Sequence, residues 1–384
     1  MFVSSSSSPG GGGELYIHKL ANELRDANDV LAAYSADPSF NGLAKEATTS
    51  GCRVIRFPYV RIYDRPLRSL GLYVTGTECH LPSQLLKEVD VIHVSQQNVE
   101  DGIDLVHWIG IRFPAKTFAT VHMVQPLSSM GQQLGTIRQS FPRYTYNKLK
   151  ESLRMVFVAD AAQTEFRSMF GFLPTHRQVI RNGAESGIPP ASAPASLRAK
   201  LGIPTEAFVF GSVGRIEEQK NYKCLVQALS VLTRNSKNAY LLLVGDGSQR
   251  QQILREAESL ALRNRVVITG WTNNPLEYYA VFDAFVLPSL FEGFPFALVE
   301  ALHADRPCIA SNIAPNRECL LSQAPLLFAP HDIDALAKKL HMIASGDSEV
   351  LDAVAKAVLN AKATLTQEQM AIQTLRFYKT ASSV

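Results

Sequence analysis

The stretch FEGFPFALVEALHADRPCIAS, residues 291–311, follows the apolar run DAFVLPS at 283–289. Such a run is typical of a buried parallel strand, so Glu292 lies just beyond the strand's carboxyl end, where open α/β sheets bind ligands. Pro295 suits the first turn of a following helix, because its φ is fixed and its missing N–H costs nothing there. The order of strand, turn and helix predicts an α/β fold with a ligand site at this edge.

The start of this helix predicts an anion site. We expect the amides of Phe296, Ala297 and Leu298 to be free at the helix N-terminus, where they would bind a phosphate. The helix around Glu300 is apolar on most faces, so its carboxylate needs a partner, and ribose hydroxyls would serve. Two glutamates at this spacing also arise by chance in helix-rich proteins; the strand and the Gly-Phe-Pro turn around them favour a functional site over a structural role.

The whole segment resembles the E-x7-E signature of retaining glycosyltransferases of family 4, among the glycosyl transferases of group 1. That family has the GT-B fold, in which two Rossmann-like domains face each other across a cleft. The resemblance implies transfer of a hexose from a nucleoside-diphosphate sugar to an acceptor hydroxyl, with retention, in glycan, glycolipid or glycoconjugate biosynthesis. It also implies that Glu292 orients sugar hydroxyls with the amides of Gly293 and Phe294, and that Glu300 binds ribose.

Length and composition fit a two-domain globular enzyme. The 384 residues are long for one domain, and 46% hydrophobic with 19% charged residues allows each of two domains its own core. A net charge of +3 without a dense basic tract argues against nucleic-acid binding. Five scattered cysteines without a C-x-x-C pair fit a reducing compartment. We find neither a signal peptide nor a long apolar run, so we expect a cytoplasmic protein.

A glycine-rich turn opens the chain. The segment FVSSSSSPGGGGELYIHKLANELRDA predicts a strand, a turn and an amphipathic helix, and glycines let the backbone approach an anion closely. A bare Ser/Gly stretch is more often a flexible loop, so the pattern alone is weak. By resemblance, Gly11, Gly12 and Glu14 match the family's G-G-x-E turn, with Gly13 at the variable position, and the glycine amides of this turn face the donor phosphate or the acceptor.

Alternating strands and helices predict a parallel, doubly wound sheet in the first half. After the opening strand, the further predicted strands are 29–35, 53–58, 90–95, 115–122 and 154–160. His122 ends the fifth strand, and the family's T-x-H pattern implies that it lies near the sugar's far hydroxyls. The family often shows H-x-H at the fourth strand, whereas here His93 is followed by Ser95, which weakens any role for that second position.

Two cations mark the second half. Arg215 and Lys220 follow a predicted strand in AFVFGSVGRIEEQKN and should lie at the same carboxyl edge as Glu292. They match the family's G-R-x4-K pattern, which implies that they bind the diphosphate. No Asp-x-Asp metal motif lies where one would be needed, so we expect neither metal nor cofactor. The resemblance places the UDP or GDP sugar near residues that follow the next two strands: Gly245, Trp271 and Thr272.

We predict an acceptor-binding domain over 1–185, a donor-binding domain over 186–365, and a terminal helix over 366–384 that crosses back to the first domain. The boundary is placed at the segment 186–204, which has linker composition and is rich in Pro, Ser and Ala. Just before it, Asn182 and Gly183 match the family's V-I-P-N-G turn, which borders the donor cleft, with Arg181 replacing proline.

Several alternatives stay open. The basic and aromatic stretches 53–68 and 138–154 could form a peripheral face for the inner side of a membrane, or a pocket for an acidic or lipid-linked acceptor, although ordinary solvated surface is favoured. A nucleotide-sugar epimerase would share the architecture and would release no free diphosphate. A non-catalytic nucleotide-sugar binding subunit would lack turnover. The acceptor itself is a glycan, a lipid-linked molecule or a small molecule.

Overall fold

The chain forms two compact units. The computed structural model describes residues 1–5, 11–26, 28–59, 81–125, 140–185, 194–234, 238–272 and 274–382. Unit 1 comprises Met1–Asn182 and Gln367–Val384, and unit 2 comprises Gly183–Thr366. The two units therefore meet in the chain between Asn182 and Gly183, close to the boundary predicted after residue 185. Of the predicted linker, 186–204, residues 186–193 lie outside the described residues, and Pro194–Lys200 form a helix.

Unit 1 is built on a parallel sheet. Its described residues form seven strands in the order β3-β2-β1-β4-β5-β6-β7. The strands are β1 (Phe2–Ser4), β2 (Leu31–Ser35), β3 (Arg53–Phe57), β4 (Ile92–Asn98), β5 (Thr117–Met123), β6 (Arg154–Phe157) and β7 (His176–Val179). The five strands predicted after the opening one are β2 to β6. Of these, β2, β4, β5 and β6 are almost continuously buried, as strands covered by helices on both faces are, whereas β3 at the sheet edge is partly exposed. The sequence analysis did not predict β7, a polar edge strand that is only half-buried.

Helices cover this sheet. Those of unit 1 are α1 (Gly12–Leu24), α2 (Asn41–Thr49), α3 (Ser83–Glu88), α4 (Ile103–Arg112), α5 (Ser140–Leu149), α6 (Asp160–Phe170) and, from the end of the chain, α15 (Gln367–Ser382). Nothing in the described part of the chain is a helix long and apolar enough to span a membrane.

Unit 2 repeats the plan with a second parallel sheet. Its described residues form six strands in the order β10-β9-β8-β11-β12-β13. The strands are β8 (Phe208–Val213), β9 (Ala239–Val244), β10 (Val266–Ile268), β11 (Ala284–Leu287), β12 (Cys308–Ser311) and β13 (Leu327–Phe328). The helices are α7 (Pro194–Lys200), α8 (Tyr222–Arg234), α9 (Arg250–Ser259), α10 (Leu276–Tyr279), α11 (Phe296–His303), α12 (Ala314–Cys319), α13 (Ile333–Ala344) and α14 (Ser348–Thr364).

The strand order reverses once in each sheet, and the reversal positions the candidate sites. In unit 1 it lies between β1 and β4, and in unit 2 between β8 and β11. Loops that leave neighbouring strands at such a point run in opposite directions and open a space at the carboxyl edge, where doubly wound folds bind ligands. The glycine turn follows β1, and Lys220 and Glu292 follow β8 and β11.

The terminal helix α15 belongs to unit 1. Tyr378 packs edge-on against Phe118 of β5 with ring centroids 4.7 Å apart, and its hydroxyl contacts Nδ1 of His93 on β4. At the far end of α15, the buried Arg154 donates from Nε to the carbonyl of Ala381 at 2.7 Å. A cation that donates to the last carbonyls of a helix satisfies groups that the helix itself leaves unpaired.

Candidate active site

The centre of the site in unit 2 is an ion pair between two of the predicted residues. Nζ of Lys220 lies 2.6 Å from Oε1 of Glu292, and the two side chains are only 14% and 9% exposed. The sequence analysis gave these residues separate partners, the diphosphate for Lys220 and the sugar for Glu292. In the structure each neutralises the other, so an anionic ligand must compete with Glu292 for the ammonium group.

Arg215 is the second predicted cation of this edge. It is exposed in the loop after β8. Within the described part of the chain, its guanidinium has neither a hydrogen-bond partner nor an ion-pair partner. A planar guanidinium in water can bind two phosphate oxygens at once without first breaking an internal contact. Arg215 is thus ready to bind an anion, and Lys220 is not.

Glycines bring the loops after β8 and β9 into contact. Gly214 and Gly245 have φ of +150° and +143°, values that residues with a side chain rarely adopt. A Cβ atom on Gly245 would lie 2.1 Å from the carbonyl oxygen of Gly214, which is backbone and cannot move aside. This close approach explains the glycine at 245, whatever its part in donor binding.

The helix after Glu292 corrects one prediction. The helix α11 begins at Phe296, so Pro295 precedes it as the N-cap residue and does not lie inside its first turn. The amide of Leu298 is not free, because it donates to the carbonyl of Pro295 at 3.2 Å. The Pro295 carbonyl also accepts the amide of Val299 at 3.2 Å, so this N-cap carbonyl engages both the third and the fourth amide of the helix. Ala297 is the second residue of the helix and precedes Leu298. Before the helix, Gly293 is half-exposed and Phe294 is buried.

Glu300 has a protein partner that the sequence analysis missed. The carboxylate is buried, and its Oε2 lies 3.1 Å from the hydroxyl of Tyr279, at the end of α10. The same hydroxyl lies 3.0 Å from the carbonyl of Ala297 and has one proton to donate to one of these two acceptors. Burial first, and then the Glu300 carboxylate, raise the pKa of Tyr279 well above its usual value, so the hydroxyl keeps its proton. The ribose role of Glu300 stays a prediction.

Trp271 and Thr272 follow β10 at the same edge. An isolated antiparallel bridge joins Gly245 to Gly270 and holds this loop beside the loop after β9. Trp271 is 61% exposed, which is unusual for a large aromatic residue and leaves a flat apolar surface open to solvent. The hydroxyl of Thr272 accepts a hydrogen bond from the amide of Asn274 at 3.1 Å.

In unit 1 the glycine turn lies against a glutamine. A Cβ atom on Gly13 would lie 2.4 Å from Nε2 of Gln97, at the end of β4, and one on Gly11 would lie 2.8 Å from Oε2 of Glu14. The buried Glu14 carboxylate accepts the amide of Gly11 at 2.9 Å and so caps the helix that begins at Gly12. The G-G-x-E pattern thus has a local structural explanation, and Gln97 is a site residue that the sequence analysis did not single out.

His122 lies directly beneath this turn. Its Nε2 lies 2.9 Å from Oγ of Ser95, and its ring meets the ring of Tyr16 edge-on at 4.8 Å. Burial lowers the pKa of His122 to about 3, so the imidazole is neutral near pH 7. Ser95, which departs from the family pattern, is therefore the hydrogen-bond partner of His122. Asn182, another predicted residue, is buried at the end of unit 1.

A second buried histidine ties the strands to α15. Nε2 of His93 lies 2.6 Å from the hydroxyl of Thr120 on β5, and Nδ1 contacts the hydroxyl of Tyr378. Burial lowers the pKa of His93 to about 3. Both ring nitrogens are engaged inside the fold, so His93 is a structural residue of unit 1.

The two histidines predict a pH-dependent stability. In the unfolded chain His93 and His122 have the ordinary pKa of 6.5, so they bind protons below that pH, while in the fold they stay neutral down to about pH 3. The stability that depends on these two neutral histidines is therefore fully present above pH 6.5. Below that pH the free energy of unfolding falls by about 1.4 kcal/mol per pH unit for each histidine. We expect the unfolding free energy of unit 1 to drop by about 2 kcal/mol per histidine at pH 5.

Tryptophan fluorescence measures this effect. Trp108 is buried in unit 1 and Trp271 is exposed in unit 2, so a Trp271→Phe variant leaves one reporter, in unit 1. Urea unfolding at pH 7 and pH 5 gives the two free energies. Equal values at both pH values would contradict the buried, neutral state of these histidines.

The described residues contain no group of three or more His, Cys, Asp or Glu side chains that could hold a metal ion. The positive charge at the edge of unit 2 comes from Arg215 and Lys220. Metal independence stays a prediction that a binding experiment has to test.

Comparison with known proteins identifies unit 2. Residues 195–358, which make up most of this unit, match the family model described as Glycosyl transferases group 1. This part of the chain is a group 1 glycosyl transferase domain. The match includes Arg215, Lys220, Glu292 and Glu300, so the contacts described above lie within the group 1 domain.

Curated relatives are also glycosyltransferases. Over 190 residues the chain is 33% identical to the UDP-Gal:alpha-D-GlcNAc-diphosphoundecaprenol alpha-1,3-galactosyltransferase of Escherichia coli, with 48% of each chain covered. Over 144 residues it is 35% identical to the lipopolysaccharide core biosynthesis glycosyltransferase LpsD of Rhizobium meliloti, with 38% of each covered. The chain thus spans about half the length, or less, of these relatives.

Solved structures extend the likeness to the whole chain. HepE of Anabaena in complex with UDP and glucose has a TM-score of 0.80 at 20% identity, covering 100% of this chain and 99% of its own. A glycosyltransferase of Rickettsia africae has a TM-score of 0.78 at 19% identity, covering 99% and 97%. At such identity the likeness shows the fold alone. The group 1 domain is thus one of two Rossmann-like domains of a GT-B fold, as predicted.

Proposed function

We propose that this protein is a glycosyltransferase that moves a hexose from a nucleoside-diphosphate sugar to an acceptor hydroxyl, in the synthesis of a glycan or glycolipid. The observation that carries the proposal is the set of charged side chains where the strand order of the group 1 domain reverses: a free Arg215 beside the Lys220–Glu292 pair. The curated relatives, which carry glycosyltransferase names, support it.

The charges fit the chemistry of glycosyl transfer. Negative charge builds on the leaving diphosphate as its bond to the sugar breaks, and preorganised cations lower the barrier. Arg215 would bind the diphosphate first, and Lys220 would join it by leaving Glu292. The carboxylate set free in this way would then accept hydrogen bonds from sugar hydroxyls.

We propose retention at the anomeric carbon, with the leaving phosphate accepting the acceptor's proton. A double displacement would need one carboxylate free to attack the sugar. In this proposal the Glu292 carboxylate accepts hydrogen bonds from sugar hydroxyls once the donor is bound, and Glu300 is buried against Tyr279, so neither carboxylate is assigned to attack the anomeric carbon. Proton NMR of the first product formed distinguishes retention from inversion, and an inverted product would overturn this part of the proposal.

Nucleotide binding tests the donor site and the role of metal together. We expect calorimetry with UDP, GDP, ADP and dTDP to show metal-free binding of UDP or GDP, because Arg215 and Lys220 provide the charge that a divalent ion would otherwise supply. The UDP named for HepE and the UDP-Gal named for the Escherichia coli relative support a uridine donor. Binding that needs magnesium would contradict metal independence, and no binding by any of the four would contradict the donor site.

We further propose that the protein works in the cytoplasm, in peripheral contact with an anionic membrane. Two large apolar residues are exposed on neighbouring helices of unit 1, Ile111 of α4 at 41% and Tyr144 of α5 at 48%, and Nζ of Lys148 lies 5.6 Å from the centre of the Tyr144 ring. Exposed apolar groups beside cations suit an anionic lipid surface. The other basic and aromatic stretch, 53–68, lies mostly outside the described residues. If the protein does not co-sediment with vesicles of anionic lipid at low salt, the proposed membrane contact is wrong.

A further inference from the structure

We propose that Gln219 is a positioning residue that fixes Glu292, and that three of the four residues between Arg215 and Lys220 hold neighbouring loops together. The inference rests on the proposed function, in which Glu292 orients the sugar. In sequence these four positions, IEEQ at 216–219, only separate the two cations. In the structure three of the four are engaged with the fold, and Glu218 is exposed.

Gln219 holds the loop after β11 at the residues just before Glu292. Its carbonyl accepts the amide of Leu290 at 2.8 Å, and its side-chain Nε2 donates to the carbonyl of Phe291 at 2.9 Å. One residue thus binds the loop through both its backbone and its side chain. The carbonyl that receives Nε2 belongs to the peptide group that leads directly into Glu292.

Asn221 adds a contact at the start of the same loop, directly after β11. Its Nδ2 donates to the carbonyl of Pro288 at 3.3 Å. With φ of +51°, Asn221 ends the short 3-10 helix Glu218–Lys220, in a conformation that asparagine adopts more easily than most residues. Lys220, between these two anchors, reaches Glu292 directly. Consecutive residues from 219 to 221 therefore all bind the loop after β11.

Gln219 is itself held from the other side. The carboxylate of Glu217 accepts the amide of Ser248 at 2.9 Å and its hydroxyl at 2.5 Å, in the loop after β9. Ile216 is buried and exchanges backbone hydrogen bonds with this loop, donating to Asp246 at 2.8 Å and accepting from Gln249 at 2.9 Å. The segment is therefore fixed to the sheet edge before it reaches Gln219, so Gln219 can impose a position on the loop of Glu292.

This arrangement separates two roles within one motif. Arg215 and Lys220 would contact the donor, while Glu217 and Gln219 would act only through the loops that they hold. Loss of the Gln219 side-chain contact should leave nucleotide binding intact and misplace Glu292, and small misplacements of a catalytic group lower the rate strongly.

The test compares Gln219→Met, which keeps the length of the side chain but cannot donate, with Glu218→Gln at the exposed neighbour. We expect Gln219→Met to speed amide exchange in the segment around Leu290 and Glu292 about tenfold, and to lower kcat about tenfold or more with an unchanged Kd for the nucleoside diphosphate. Glu218→Gln should leave amide exchange, kcat and the Kd unchanged. Gln219→Asn, which keeps the amide but is too short to reach Phe291, provides a second variant if the first fails to fold.

A double-variant cycle shows whether Gln219 acts through Glu292. In a Glu292→Gln background, Gln219→Met should cause no further loss of kcat, because the group that it positions is already gone. Equal losses in both backgrounds, or unchanged amide exchange around Leu290, would overturn the proposal. Amide exchange can be measured without substrate. It therefore tests whether Gln219 fixes the loop of Glu292 even if the unsubstituted protein transfers no sugar. That absence of transfer would count against the proposed function alone.

Discussion

Glu292→Gln is expected to lower the rate of sugar transfer about a hundredfold while leaving the affinity for the nucleoside diphosphate intact or higher, a loss comparable to that of one preorganised electrostatic contact in an active site. Glutamine keeps the size of the side chain and loses its charge. The sugar hydroxyls then lose a charged acceptor, whereas Lys220, now 2.6 Å from a neutral group, is freer to bind phosphate. Initial rates give kcat, and calorimetry gives the Kd of the diphosphate.

Glu218→Gln is the matched control for this variant, since it removes one negative charge from an exposed position of the same edge. It should leave both quantities unchanged. Equal loss of turnover and of diphosphate affinity in Glu292→Gln would sink the assignment of Glu292 to the sugar and place it in nucleotide binding.

Lys220→Met should be the more damaging variant, because it harms both folding and binding. Glu292 would keep its charge at 9% exposure without its partner, and breaking a largely buried pair in this way costs about 3 kcal/mol or more. The diphosphate would also lose one of its two cations. Urea unfolding followed by circular dichroism measures the first effect, and calorimetry with the nucleoside diphosphate measures the second.

The double variant Lys220→Met with Glu292→Gln separates these two effects. It removes both charges, so we expect stability to return most of the way while diphosphate affinity stays low. If Lys220→Met is as stable as the unsubstituted chain, Glu292 finds water or another donor easily. The ion pair then contributes little to the free energy of unfolding.

The sequence could predict the sheets and the edges that carry the sites. Parallel strands buried on both faces appear as short apolar runs, such as AFVL of β11, and these can be found without knowledge of their neighbours. The order of strand, loop and helix then places Lys220 and Glu292 at a carboxyl edge. The polar edge strand β7 escaped notice, since it buries too little surface to need an apolar run.

The contacts within the site could not be predicted, because they join residues far apart in sequence. Lys220 and Glu292 are 72 positions apart, and their pairing depends on β8 lying beside β11. Tyr279 lies in an aromatic run that resembles ordinary core, so nothing marked it as the partner of Glu300. Gln219 looked like a spacer because its partners are carbonyl and amide groups, which every residue carries.

The path of the chain has a consequence for the order in which the protein folds on the ribosome. Unit 2 is continuous from Gly183 to Thr366, whereas unit 1 needs both the first part of the chain and α15. Arg154, Phe118 and His93 contact residues of α15, which are synthesised only after the whole of unit 2. Unit 1 therefore begins before unit 2 and is completed after it. Until α15 has left the ribosome, the sheet of unit 1 exposes the apolar surface that α15 will cover, and chaperones can bind there.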